Sequence, residues 1–69
     1  MSDSIYKIIE LVGTSGESWE MAAKNAVEKA SRTLRDLRVA SVMEQDLVVT
    51  EGRVEAYRVK LKLSFKYED

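Results

Sequence analysis

The sequence predicts a small α+β protein with the element order β-α-β-β, and three observations carry that prediction. An apolar, β-rich run, IYKIIELV, opens the chain at Ile5–Val12. From Trp19 to Leu37 the apolar residues recur at steps of three and four, the period of one helix face. From Val54 to Tyr67 apolar and polar residues alternate without a break, the period of a strand.

The first strand is expected to stop at Gly13, and the segment Thr14-Ser15-Gly16-Glu17-Ser18 reads as a helix start. Thr14 and Glu17 have capping-box spacing, and Ser15 is the other candidate N-cap. The helix then carries Trp19, Ala22, Ala23, Ala26, Val27, Ala30, Leu34 and Leu37 on its apolar stripe, through about five turns. Alanine dominates that stripe, so the helix can lie close against a sheet. Arg38–Thr50 is a long β-branched segment, and Glu51-Gly52 supplies a two-residue hairpin turn in which Gly52 is free to take positive φ. In the last strand Tyr57, Val59, Leu61, Leu63, Phe65 and Tyr67 point one way, and Arg58, Lys60, Lys62, Ser64 and Lys66 the other. No repeat, linker or low-complexity stretch interrupts the 69 residues, which are expected to form one domain, residues 1–69.

A chain of this size rarely draws more than roughly 3–5 kcal/mol from its core. It has no cysteine and no histidine, which excludes disulfides, thiolate or imidazole metal sites, a cysteine nucleophile and a Ser-His-Asp triad. Strands of about 12–14 residues are roughly twice the usual length, and one helix leaves their second face and their edges bare. Self-association resolves both difficulties, so a homo-oligomer is expected. Eleven basic against twelve acidic residues give a net charge of −1, with no global attraction for nucleic acid or an anionic membrane. The apolar runs are far too short to span a membrane, and the MSDSIYK start lacks the order of a signal peptide, so a cytoplasmic protein is expected.

Few residues suggest chemistry. Gly13-Thr14-Ser15-Gly16 between strand and helix offers backbone N–H groups to an anion, but it lacks the lysine ending of a P-loop and reads first as a turn and cap. The basic ridge of Arg58, Lys60, Lys62 and Lys66 has no interleaved aromatics for base stacking. Glu44 and Asp46 can pair with Lys60 and Arg58 across the hairpin if the register matches, giving a solvated, partly paired face. The same two carboxylates, two apart on a strand, are the one candidate for a hard cation such as calcium, without EF-hand spacing. Trp19 reads as a core or interface anchor. No nucleophile–base pair is recognisable, and no enzyme is expected.

YKIIELVGTS, ESWEMAAKNAVEKA, TLRDLRVASV and the closing YRVKLKLSFKYED resemble the dodecin family over roughly Ile5 to Glu68. The resemblance implies a three-stranded antiparallel sheet curled around the helix. It also implies twelve chains in a hollow shell that binds and buffers flavin (riboflavin or FMN) and is not an enzyme. In that family a tryptophan at the start of the second strand stacks on the flavin, and a glutamine on the third strand bonds its polar edge. Here Val39 stands at the tryptophan position and Arg58 at the glutamine position, which weakens the flavin site. A contact worth roughly 1–3 kcal/mol per stacked ring is lost, and a charge is added. Glu44 is placed for a polar contact to the ligand's side chain. The chain resembles the tryptophan-less branch of the family. The alternative the resemblance leaves open is a structural or calcium-binding assembly without flavin, with Glu44 and Asp46 as the acidic pair.

Overall fold

The computed structural model describes residues 5–66 in the order β1 (Tyr6–Ser15), α1 (Trp19–Ala30), β2 (Leu37–Thr50) and β3 (Arg53–Lys66). The sheet runs β1-β3-β2, so the last strand is the central one, and both pairings are antiparallel. β3 pairs along both of its edges, while its alternation gives it one buried face. Its ladder with β1 is regular from Tyr6↔Lys66 to Ser15↔Tyr57. Its ladder with β2 shifts register between Leu37 and Val39, between Val42 and Glu44, and between Val48 and Val49. Such irregularities bend and twist a long strand, which is how a 14-residue β2 follows a sheet that curves over a short helix.

The core is the inner face of β3 under the helix. Val59, Leu61 and Leu63 are buried with Ala22, and Ile9, Leu11, Ala26, Val27 and Leu37 pack against them from β1, α1 and the start of β2. Burying one such Leu or Val contributes about 1.5–3 kcal/mol. The expected alternation of β3 holds from Tyr57 to Phe65; Tyr67 lies outside the described residues.

Gly13 does not end the first strand. β1 runs on to Ser15, and Gly13 is buried where the helix crosses it. A Cβ there would sit 2.4 Å from the Ala22 carbonyl oxygen and 2.8 Å from Ala26 Cβ. The glycine and the alanine stripe are therefore two halves of one close approach.

The helix starts at Trp19, where its period starts, but its cap is neither Thr14 nor Ser15 and it ends earlier than the period suggests. Its N-cap is Ser18, in extended backbone (φ −167°), whose hydroxyl accepts from the Met21 N–H at 3.0 Å. Thr14 and Ser15 are still strand, and the Ser15 hydroxyl instead accepts from the Glu17 N–H at 2.9 Å. The last helical residue is Ala30, not Leu37. Beyond it the Ser31 and Thr33 hydroxyls donate back to the Glu28 and Ala30 carbonyls, and Asp36 takes a φ of 54°. Short hydroxyl side chains compete for backbone groups and loosen a helix. Leu34 and Leu37 still reach the core, one from the connecting turns and one from β2.

Glu51 and Gly52 form the predicted hairpin turn, with φ of 51° and 75°. Both central residues are left-handed, as a type I′ turn requires, and the non-glycine Glu51 accepts that conformation too. The hairpin continues past the end of β1, whose last pair is Ser15↔Tyr57, so Val48–Ala56 form a two-stranded arm. The molecule measures 54 × 20 × 15 Å with a radius of gyration of 14.3 Å. A compact chain of this length would have a radius of gyration near ~11 Å.

Candidate functional site

The outer face of the sheet, away from the helix, carries the charged rungs. Across β1, β3 and β2 these are Thr14–Arg58–Asp46, Val12–Lys60–Glu44, Glu10–Lys62–Ser41 and Ile8–Ser64–Val39. Strict alternation would put Val39 and Glu44, five apart, on opposite faces. The register shift between Val42 and Glu44 absorbs Met43 and brings them to the same one.

Asp46 and Arg58 form a bidentate pair. Arg58 Nε donates to Asp46 Oδ1 at 2.8 Å and Nη2 donates to Oδ2 at 2.9 Å. The hydrogen bonds from Arg58 hold the Asp46 carboxyl below its ordinary range. The same hydrogen bonding, with the nearby Asp46 and Glu44 charges, raises the guanidinium. The register also sets Glu44 opposite Lys60, but the Lys60 ammonium lies 3.8 Å from Glu10 on β1. Of the two ion pairs the sequence suggests, then, one forms and the other finds a different carboxylate. The result is the solvated, partly paired face expected of this ridge.

Trp19 anchors the helix start to the same end of the sheet. Its Nε1 donates to the Asp46 carbonyl oxygen at 3.1 Å, and its ring meets Tyr57 edge-on, with centroids 5.2 Å apart. One face of the Asp46 position thus holds a guanidinium and its backbone holds an indole. Nothing in the spacing signals this bond, because the acceptor is a backbone atom 27 residues away.

The structure brings Glu44, Asp46 and Arg58 together. Val39 shares their face but stands 53% exposed opposite Ser64. That rung is six β3 residues from Arg58, a separation of about 20 Å at 3.3–3.4 Å per residue. One chain therefore does not enclose a pocket between Val39 and Arg58. Among the described residues no three acidic side chains gather closely enough to hold a metal ion. Both Asp46 oxygens are engaged by Arg58, whereas calcium takes six to eight oxygen ligands. Within one chain, the acidic pair does not complete a cation site. The Gly13–Gly16 segment, with its glycine buried and its Thr14 and Ser15 paired in the sheet, is not an open anion loop.

The sequence singled out no cavity, yet a groove of about 430 Å³ lies between β1 and the second half of α1. Ile9, Leu11, Ala26, Ala30 and Leu34 line it, with Lys29 and Thr33 beside them. Its signal was present only in part, as apolar positions of two elements whose spacing in the fold the pattern does not give.

The dodecin family model matches residues 5–68. The calcium dodecin of Mycobacterium tuberculosis is 49% identical over 63 residues, 91% of this chain and 89% of that protein. Its crystal structure, described as that of a calcium-chelating antigen with a novel calcium-binding site, superposes with a TM-score of 0.83 at 48% identity, covering 94% of this chain and 93% of that one. The structure of dodecin from Streptomyces coelicolor matches at a TM-score of 0.93 and 39% identity, over 100% of this chain and 99% of the other. A curled three-stranded sheet with β3 at its centre, one helix seated on Gly13, and a sequence match along almost its whole length make this chain a member of the dodecin family.

Proposed function

We propose that the protein is a subunit of a homododecameric hollow shell in the cytoplasm that binds and buffers a small ligand and catalyses nothing. The observation that carries this reading is the incomplete burial of an otherwise well-formed sheet. Leu61 is 1% exposed, while its direct cross-strand neighbour Val42 on the same face is 53% exposed. A surface built like a core but left bare is completed by other copies of the chain. Membership of the dodecin family supports the same assembly. Sedimentation velocity is expected to give a particle of twelve times the 7.8 kDa chain. A folded 7.8 kDa monomer would overturn the reading.

Flavin, as riboflavin or FMN, is the ligand the family resemblance implies, with a site weakened by Val39 and Arg58. The distance between those residues means that the flavin would be held by more than one chain. The test is a riboflavin fluorescence titration of the protein beside a Val39→Trp variant. The restored ring is expected to tighten binding about tenfold or more, in line with roughly 1–3 kcal/mol per stacked base. No quenching by the wild-type protein at high micromolar concentration would remove flavin from the reading.

Calcium is the second reading, favoured by the 49% identical relative that is named a calcium dodecin. Glu44 and Asp46 supply two carboxylates per chain, and oxygens from a neighbouring chain would complete the shell of ligands. If calcium is the ligand, its addition raises the melting temperature of the assembled protein, a chelator reverses this, and Glu44→Gln abolishes it. A melting temperature indifferent to calcium would sink this reading while leaving the assembly intact.

A further inference from the structure

One guanidinium serves two carboxylates on the outer face. The Arg58 fork takes both Asp46 oxygens, at 2.8 and 2.9 Å, and the Glu44 charge raises the same group. Lys60, which the register sets opposite Glu44, lies 3.8 Å from Glu10 on β1 instead. Among the described residues Glu44 is therefore left without an ion pair of its own. β1 has drawn one cation away, and Arg58 is left between Asp46 and Glu44.

The chemistry of the two partners sets up a competition. An ionised carboxylate only accepts, and a guanidinium only donates. A hard divalent ion asks for the same oxygen lone pairs that the Arg58 fork already holds. Both cannot have Asp46, because a bidentate fork covers the whole edge of the carboxylate. The Arg58 and Asp46 side chains are 44% and 50% exposed, so an ion reaches Asp46 without any opening of the fold. Among the described residues nothing else hydrogen-bonds the Arg58 side chain, which is free to swing aside. Exposed pairs of this kind are weak enough to be exchanged.

We infer that Arg58 is an internal competitor for cations: its guanidinium occupies the carboxylate a divalent ion would need and sets how tightly this face holds one. The inference rests on the calcium reading above and adds the residue that regulates its acidic pair. The Asp46 carboxylate serves the guanidinium or the ion, and binding of the ion begins with release of Arg58.

Terbium, a hard oxygen-seeking ion, is the probe. The chain has a single tryptophan, and Trp19 Nε1 lies 3.1 Å from the Asp46 carbonyl oxygen. Indole excitation passed to terbium therefore reports an ion held at Asp46. Terbium is titrated into the wild type, Arg58→Gln and Lys62→Gln, with the fold of each checked by circular dichroism. Both variants remove one positive charge from the same face of β3, and only the first frees Asp46. Lys62 lies about 13 Å along β3 from Arg58, beyond the screening length at physiological salt. Arg58→Gln is expected to bind terbium about fivefold more tightly than the wild type, and Lys62→Gln less than about twofold. Arg58→Lys keeps the charge but loses the fork, so it should fall between the wild type and Arg58→Gln. It replaces Arg58→Gln should that variant fail to fold. Adding Asp46→Asn to Arg58→Gln should remove the gain.

Equal gains from Arg58→Gln and Lys62→Gln would overturn the inference. So would a gain that survives Asp46→Asn, or the absence of sensitised emission from Arg58→Gln. The calcium reading fails separately. A wild-type melting temperature indifferent to calcium, with Arg58→Gln tightened as expected, would sink that reading and uphold Arg58 as the competitor. A wild type stabilised by calcium, with Arg58→Gln binding no more tightly, would overturn the inference alone.

Discussion

Where α1 covers the inner face of β3 the molecule is closed, and the half built from β2 and the arm is open. Both are rich in valine, leucine and isoleucine, and both obey the same strand geometry. Leu61 and Val42 make the contrast sharpest, because they are direct partners on one face and differ from 1% to 53% exposed. The difference is the width of one alanine-striped helix. α1 lies over β1 and β3, drawn there by the missing side chain of Gly13, and most of β2 is left bare, with Leu37 in the core and the Asp46 carbonyl bonded to Trp19 at its two ends. Hydrophobic composition thus states that a surface is to be buried; it does not state by which chain.

The largest effect is expected in the closed half. Leu61→Ala should cost about 2–5 kcal/mol, which equals the roughly 3–5 kcal/mol that a core of this size supplies. Circular dichroism of this variant should show it unfolded. Val42→Ala should leave the protein folded and shift its melt far less, as expected of a side chain that one chain leaves 53% exposed. Equal losses at both positions would erase the contrast between the halves.

Glycine substitutions come next. Gly13→Ala drives a methyl against the Ala22 carbonyl and Ala26, and overpacking of this kind costs about 1–3 kcal/mol by urea denaturation. Gly16→Ala, with nothing within 4 Å of the new atom, is the control and should leave the midpoint nearly unchanged. Trp19→Phe removes the indole donor to Asp46 at the seam between the halves, a loss of about 0.5–1.5 kcal/mol. An unchanged midpoint would mean that the bond from Trp19 to Asp46 does not hold the seam.

The smallest effect is expected at the exposed ion pair of the open half. Arg58 lowers the Asp46 pKa, so the pair's contribution is present above the ordinary carboxylate pKa and is lost as pH falls through the depressed value. The wild type should therefore exceed Asp46→Asn slightly in urea midpoint at neutral pH. The two should converge in acid. A gap that persists in acid would mean that Asp46 acts through its backbone neighbourhood and not its charge.

The element order, the hairpin turn and the inner residues of β3 were legible in the sequence because a two-residue period and a turn dipeptide are local properties. The helix was legible as a helix but not in length, since Leu34 and Leu37 continue its period while Ser31 and Thr33 draw the backbone out of it. At the outer face, the Asp46–Arg58 pair was readable from hairpin register. The Lys60 partner was not, because Glu10 belongs to a strand fifty residues earlier in the sequence.

The sequence by itself determined a β-α-β-β chain with one buried face, an alanine-rich helix to cover it and more strand than that helix can shelter. Only the tertiary structure decided that Gly13 is a seat for the helix and not the end of a strand. The tertiary structure also put Val39 and Glu44 on one face, by absorbing Met43 in a register shift. It left Val49 and Val54 of the arm exposed and opened a groove between β1 and α1 at a separate place. Periodicity records which way each side chain points along its own strand. Register shifts and close approaches depend on what the neighbouring element presents, and that is known only once the elements have met.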